Sequence, residues 1–186
     1  MTDKITTPQE LSGILQIRQR KGERVVFTNG CFDLLHIGHI RYLQSARALG
    51  NLLVVAVNSD ESVRSLDKGQ GRPLNPVDQR MEVLAALACV DYVVRFDEST
   101  PLTIIQTLQP NVLVKGGDWS VDQIVGKDVV EGRGGTVKNI SLTPNISTSL
   151  IIDRIQNMGI ASDISNPIER RSAPPDSSLP DPTMPA

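Results

Sequence analysis

The chain is poor in the residues that would make it a metalloprotein, a disulfide scaffold or a nucleic-acid binder. Only two of its 186 residues are cysteine, Cys31 and Cys89, which form neither a metal pattern nor a disulfide framework. The formal net charge is -2, so the basic footprint of a nucleic-acid partner is missing. No run approaches the roughly 18 apolar residues of a membrane span, and MTDKITTPQE lacks the apolar core of a signal peptide. The expectation is therefore a cytoplasmic protein with no membrane and no nucleic-acid partner. No internal repeat is visible. The first apolar strand is not followed by G-x-G-x-x-G, which disfavours a dinucleotide-dependent oxidoreductase. Histidine is equally scarce: there are two, His36 and His39.

Both histidines fall in Thr28-Asn29-Gly30-Cys31-Phe32-Asp33-Leu34-Leu35-His36-Ile37-Gly38-His39. This stretch follows a short apolar strand (Val25, Val26, Phe27) and enters an amphipathic segment (Ile40, Tyr42, Leu43, Ala46, Leu49). Strand, glycine-bearing loop and helix start in that order make an anion site, because the first helical N–H groups lack partners and carry partial positive charge. Gly38 has no side chain, so a ligand can approach the backbone closely. An isolated H-x-G-H is as readily a tight β–α turn with two exposed histidines. In this context the stretch reads as a triphosphate site.

The rest of the chain supplies the frame. Thr7 as N-cap, Pro8 at N1 and Glu10 closing a capping box predict a first helix. Its face is Leu11, Ile14, Leu15 and Arg18, it ends at Gly22, and it is expected to pack on the sheet edge. Leu52–Val57 reads as a strand buried on both faces, closed by Asn58-Ser59-Asp60, which can cap a short helix. Residues 67–75 read as a mobile loop. Asn75-Pro76-Val77-Asp78 starts a helix with Met81, Val83, Leu84 and Leu87 inward. Tyr92–Val94 is a third strand, and Thr100-Pro101 opens a helix that Pro110 ends. Val112–Val114 is a fourth strand, followed by Lys115-Gly116-Gly117-Asp118. A short helical stretch runs to Glu131, Thr136–Ile140 is strand five, and Ser147 caps a last helix from Thr148. The alternation predicts an α/β fold, a doubly wound, mostly parallel, five-stranded sheet; the order expected for it, as a Rossmann-like fold, is 3-2-1-4-5. Residues 1–159 form the domain. Residues 160–186, rich in Pro, Ser and Asp, are expected to be a disordered tail.

Ligands on such sheets bind beyond the strands' C-terminal ends, where strand order reverses. Lys115 would then face His36 and His39 across one crevice, with Asn58 and Asp60 after strand two. The set suits nucleotidyl transfer. A phosphomonoester with a second pKa of about 6 is already largely ionised, so the protein needs donors and cations rather than a general base. Mg²⁺ is the expected companion of the nucleotide; no residue is assigned as a metal ligand.

Gly30 to His39 resembles the signature of the cytidylyltransferase-like nucleotidyltransferases, and His36-Ile37-Gly38-His39 matches the HIGH of class I aminoacyl-tRNA synthetases. Asn145-Ile146-Ser147-Thr148-Ser149 resembles that family's second motif. FTNGCFD (Phe27–Asp33), VAVNSD (Val55–Asp60), GRPLNP with Gln79-Arg80, and LVKGGDW (Leu113–Trp119) are most similar to the adenylyltransferase domain of bacterial ADP-heptose synthesis. The resemblance spans residues 7–157. It implies ATP and D-glycero-β-D-manno-heptose 1-phosphate as small-molecule substrates, and it alone suggests a homodimer. It further implies that His36 and His39 hold the phosphates and stabilise the transition state. Thr28, Asn29, Gly30, Cys31, Phe32 and Gly38 would line the nucleotide, Asp118 would lie near its ribose or base, and Ser147 and Thr148 would bind the β- and γ-phosphates. Asp33, Arg72 and Lys115 are assigned to the sugar-phosphate side, Lys115 also as a catalytic residue with the two histidines, and Asn58 and Asp60 to nucleotide binding.

Two departures stand out. Many relatives fuse this domain to a sugar kinase, and no kinase stretch is found here; Leu150 stands where relatives often carry a polar residue. Blander readings exist for several positions: Asp60 and Asp118 as helix caps, Arg72 as a solubilising loop residue, Lys115 as a solvated lysine, Trp119 as packing. A Cys31 nucleophile is disfavoured, since small buried cysteines are the commoner case. Two other functions compete. One is a cytidylyltransferase acting on glycerol 3-phosphate or a similar phospho-alcohol. The other is a non-catalytic nucleotide-binding regulator whose tail recruits a partner. Length and the missing lysine-rich second signature set aside a tRNA synthetase.

Overall fold

A computed structural model describes residues 3–66, 71–117 and 120–158. Its five strands are β1 (Val25–Gly30), β2 (Leu52–Asn58), β3 (Tyr92–Phe96), β4 (Val112–Gly116) and β5 (Thr136–Ile140). They form one sheet in the order β3-β2-β1-β4-β5, and every pairing is parallel, as expected. The helices are α1 (Pro8–Arg20), α2 (Ile37–Arg47), α3 (Asp60–Ser65), α4 (Val77–Ala85), α5 (Leu102–Leu108), α6 (Lys127–Glu131) and α7 (Thr148–Asn157). A parallel sheet must hide both faces, and β2 shows why the apolar run is continuous. Leu52, Val54 and Ala56 join one core with α1 and α5, while Leu53, Val55 and Val57 join a second core with α2 and α4.

The first helix begins as expected. The Thr7 hydroxyl accepts from the Glu10 N–H, and the Glu10 carboxylate accepts from the Thr7 N–H. It packs on a sheet face rather than on the edge. Leu11 and Leu15 are wholly buried beside Phe27 and Ile105, whereas Ile14 is 38% exposed. The edge is taken by the residues before the helix: Ile5 pairs with Val93 outside β3. In α4 the inward face is Val77, Arg80, Met81 and Leu84, and Val83 turns outward with 51% exposure. The i, i+3, i+4, i+7 spacing from Val77 explains both; the charge at Arg80 hid the stripe.

Chain contacts divide the molecule at Thr148. The strands and α1–α6 belong to the first unit. Most of α7 belongs to the second; by itself it is a ten-residue helix with Leu150 and Ile155 about half exposed. The tail expected at 160–186, Asp118 and Trp119 lie outside the described residues.

Candidate active site

After β1 the chain winds to β2 and β3, then returns across β1 to β4, so strand order reverses between β1 and β4. β1 pairs with β2 along its whole length. With β4 it pairs only at Val26–Val112 and Phe27–Leu113, and toward their C-terminal ends the two strands part. Tyr42 of α2 stands at the split. Its hydroxyl lies 2.7 Å from the Thr28 hydroxyl and donates to the Val114 carbonyl at 3.3 Å. Burial pushes its pKa up to about 12, so it remains a donor. Gly116 leaves room beside it: a Cβ there would lie 3.1 Å from the Tyr42 ring and 2.9 Å from Leu142 Cδ2. The helix that carries the histidines is thus tied to both strands flanking the crevice.

His36 is the N-cap of α2 and His39 sits one turn in. Gly38 N–H donates to His36 Nδ1 at 3.1 Å, and His36 N–H donates to His39 Nδ1 at 3.4 Å. Both Nδ1 atoms act as acceptors, so in each neutral ring the proton sits on Nε2. The rings stack with centroids 3.9 Å apart. Burial lowers the His36 pKa; burial, then the neighbouring His36, bring His39 down to about 4. The helix N-terminus acts in the same direction. At neutral pH the pair therefore offers two Nε2–H donors, not two cations. Gly38 serves this cap directly. A Cβ there would lie 2.9 Å from His36 Nδ1 and 3.3 Å from Ile146 Cγ2. The close approach Gly38 permits is thus already used by the chain's own His36 and Ile146.

Asp33 and Arg72 come together as an internal pair. The Asp33 side chain has no exposed surface and Arg72 only 11%. The carboxylate accepts from Arg72 Nε and from the N–H groups of Leu74 and Asn75. Burial alone would raise the Asp33 pKa, but the Asn75 and Leu74 amides and the guanidinium outweigh it and hold the carboxyl below its ordinary value. The 71–75 segment is therefore pinned to the signature loop rather than mobile, and Arg72 is not a solubilising residue. Residues 67–70 lie outside the described set.

Reading the sequence for site residues missed Arg80. It is 2% exposed, and its guanidinium donates to the carbonyls of Asn75, Cys31 and Asn58 and to the Asp60 carboxylate. The available signal was a lone charge on the apolar stripe of α4, since a buried arginine must find acceptors.

The other expected residues divide between interior and rim. Thr28 is wholly buried on Tyr42. Asn58 is 4% exposed; its amide donates to Ser62 Oγ, and its carbonyl oxygen faces the Cys31 thiol at 3.9 Å. Asp60 pairs with Arg80 at 2.8 Å. Gly30 leaves room for the Phe32 ring, which would stand 3.0 Å from a Cβ there. Asn29 and Gly30 end β1 half-buried. Thr148, the last residue of the first unit, donates its hydroxyl to the Leu34 carbonyl of the signature loop at 3.1 Å. Ser147 precedes it, half-buried. Alternation along β4 puts Lys115 on the side of Leu113, whereas α2 packs on the side of Val112 and Val114. Lys115 and the histidines thus share the C-terminal rim from opposite faces. No cluster of His, Cys, Asp and Glu suited to a metal ion occurs among the described residues. Asp33 and Asp60 are engaged by arginines, so these residues do not fit a resident metal.

The cytidylyltransferase-like family matches residues 27–154. Among curated proteins, the bifunctional protein HldE of Syntrophotalea carbinolica is 55% identical over 152 residues, covering 82% of this chain and 31% of that protein. HldE of Geobacter sulfurreducens is 53% identical with the same coverage. The chain therefore spans about a third of the length of these relatives. Among solved structures, the lipopolysaccharide core biosynthesis protein from Thermoplasma volcanium superposes with a TM-score of 0.55 at 29% identity. That match covers 66% of this chain and 98% of the other. With the sheet order, the split between β1 and β4 and the capped histidine pair, these matches place the chain in the cytidylyltransferase-like family.

Proposed function

We propose that the chain is a nucleotidyltransferase that moves the adenylyl group of ATP onto D-glycero-β-D-manno-heptose 1-phosphate, giving ADP-heptose and pyrophosphate. The observation that carries this reading is the pair of imidazoles held by backbone N–H groups at Nδ1, both aiming Nε2–H donors from the start of α2. The sugar phosphate is largely dianionic at neutral pH, so no base is needed and neutral imidazoles suffice. A phosphate oxygen attacks the α-phosphorus in line. The bond from the α-phosphorus to its bridging oxygen breaks, and the electron pair leaves with pyrophosphate. Donors fixed before reaction stabilise the charge on the phosphoryl oxygens. Mg²⁺ enters as part of the Mg–ATP substrate.

The choice of ATP and heptose is supported by the FTNGCFD, VAVNSD, GRPLNP and LVKGGDW phrases and by the 53–56% identity to HldE proteins. The test is pyrophosphate release with Mg²⁺, crossing ATP and CTP against heptose 1-phosphate and glycerol 3-phosphate. Turnover confined to ATP with the heptose is the expected result. Turnover with CTP and glycerol 3-phosphate would keep the site and overturn the substrates, and binding without turnover would point to a regulator.

A further inference from the structure

Arg80 has a consequence beyond its own pairing. Its Nη1 donates to the Cys31 carbonyl, and the next residue, Phe32, has φ +48°. An aromatic residue rarely adopts that left-handed conformation, so the surroundings must hold it. A trans peptide is planar with C=O and N–H pointing opposite ways. With the Cys31 carbonyl turned inward to the guanidinium, the Phe32 N–H points outward, and no described residue accepts from it. The Phe32 ring stands edge-on to His39 with centroids 5.6 Å apart, so this amide and the histidine pair border one another.

We propose that Arg80 is a positioning residue for phosphoryl chemistry. By gripping the Cys31 carbonyl from within, it orients the Cys31–Phe32 peptide so that the Phe32 N–H donates to a phosphate oxygen of the bound nucleotide. The inference rests on the nucleotidyl-transfer reading only in taking the ligand to be a polyphosphate. The guanidinium is suited to the task because its planar fork reaches four acceptors on three segments at once: Cys31, Asn58 with Asp60, and Asn75. A lysine ammonium is a point charge on a flexible stem and cannot span them. An apolar side chain would pack with Val77, Met81 and Leu84 at lower desolvation cost, but it would leave the Cys31 peptide free to turn.

The test compares the parent with Arg80→Lys in the whole chain. With the nucleotide and acceptor that the crossed assay selects, kcat should fall about 100-fold, the size of losing one fixed oxyanion donor. The nucleotide KM should move by less than about 5-fold, because the bond is present in the bound nucleotide but strengthens as charge builds on the phosphoryl oxygens. Nucleotide-binding stoichiometry should remain that of the parent. A kcat within about 3-fold of the parent, or a kcat loss matched by lost binding stoichiometry as for a purely structural residue, would overturn the proposal. If Arg80→Lys does not fold, the parent decides the question. The ¹⁵N–¹H resonance of Phe32 should move downfield on adding inorganic tripolyphosphate, and an unmoved resonance would overturn the proposal. Because tripolyphosphate carries neither base nor sugar, this readout stands even if ATP or the heptose is the wrong substrate.

Discussion

In the proposed mechanism His39 supplies one of the two fixed Nε2–H donors. Removing it deletes a fixed donor, so His39→Ala should lower kcat by at least about 100-fold while the far-ultraviolet circular dichroism stays that of the parent. The same residue gives a signed pH dependence. Folded His39 titrates near 4, while unfolded histidine titrates near about 6.5. Between those values the unfolded chain binds more protons, so stability present above pH 6.5 is lost as pH falls toward 4. Urea midpoints at pH 7 and pH 5 should therefore diverge more in the parent than in His39→Gln; equal divergence would mean that His39 is not buried as described. Asp33 is the opposite kind of group, a carboxylate whose partners are all internal. Asp33→Asn would leave Arg72 with a buried, unpaired charge and should cost about 3 kcal/mol in a denaturant titration.

The elements decide how these side chains meet. Tyr42 links α2 to both strands at their divergence, and Tyr42→Phe strands the Thr28 hydroxyl and the Val114 carbonyl. The expected loss is about 1–3 kcal/mol, measured by thermal or denaturant unfolding; no change would mean that water replaces the hydroxyl. At this scale much was legible in the chain. The Thr7–Glu10 capping box and the apolar run of β2 follow from local chemistry and the doubly wound sheet from the alternation of strands and helices, whereas the order 3-2-1-4-5 is an expectation of the fold class that the sheet meets. What was not legible depends on contacts far apart in sequence. The 67–75 stretch carries every mark of a loose loop, yet its 71–75 part is tied down by Asp33, about 40 positions away. Ile14 sits at the margin of the α1 stripe and is 38% exposed, and Val83 falls off the stripe that Val77 and Arg80 set in α4. Arg80 was passed over because charge usually marks a solvated face, and only the tertiary fold supplies its four acceptors.

For the whole molecule, the proposed function has the crevice where β1 and β4 part bind a nucleoside triphosphate and pass its nucleotidyl group to a sugar phosphate. The histidine pair, the pinned 71–75 segment and Thr148 all lie around one loop, Gly30 to His39, at the end of β1. Family membership is carried by a match over residues 27–154, a span that includes all of these groups. The direct test is ³¹P NMR of the parent chain incubated with Mg–ATP and D-glycero-β-D-manno-heptose 1-phosphate. The account predicts two coupled diphosphate resonances of a nucleoside-diphosphate sugar, appearing together with pyrophosphate as the phosphomonoester signal declines. Unchanged substrate signals with the folded protein present, or orthophosphate and ADP in place of those products, would contradict it.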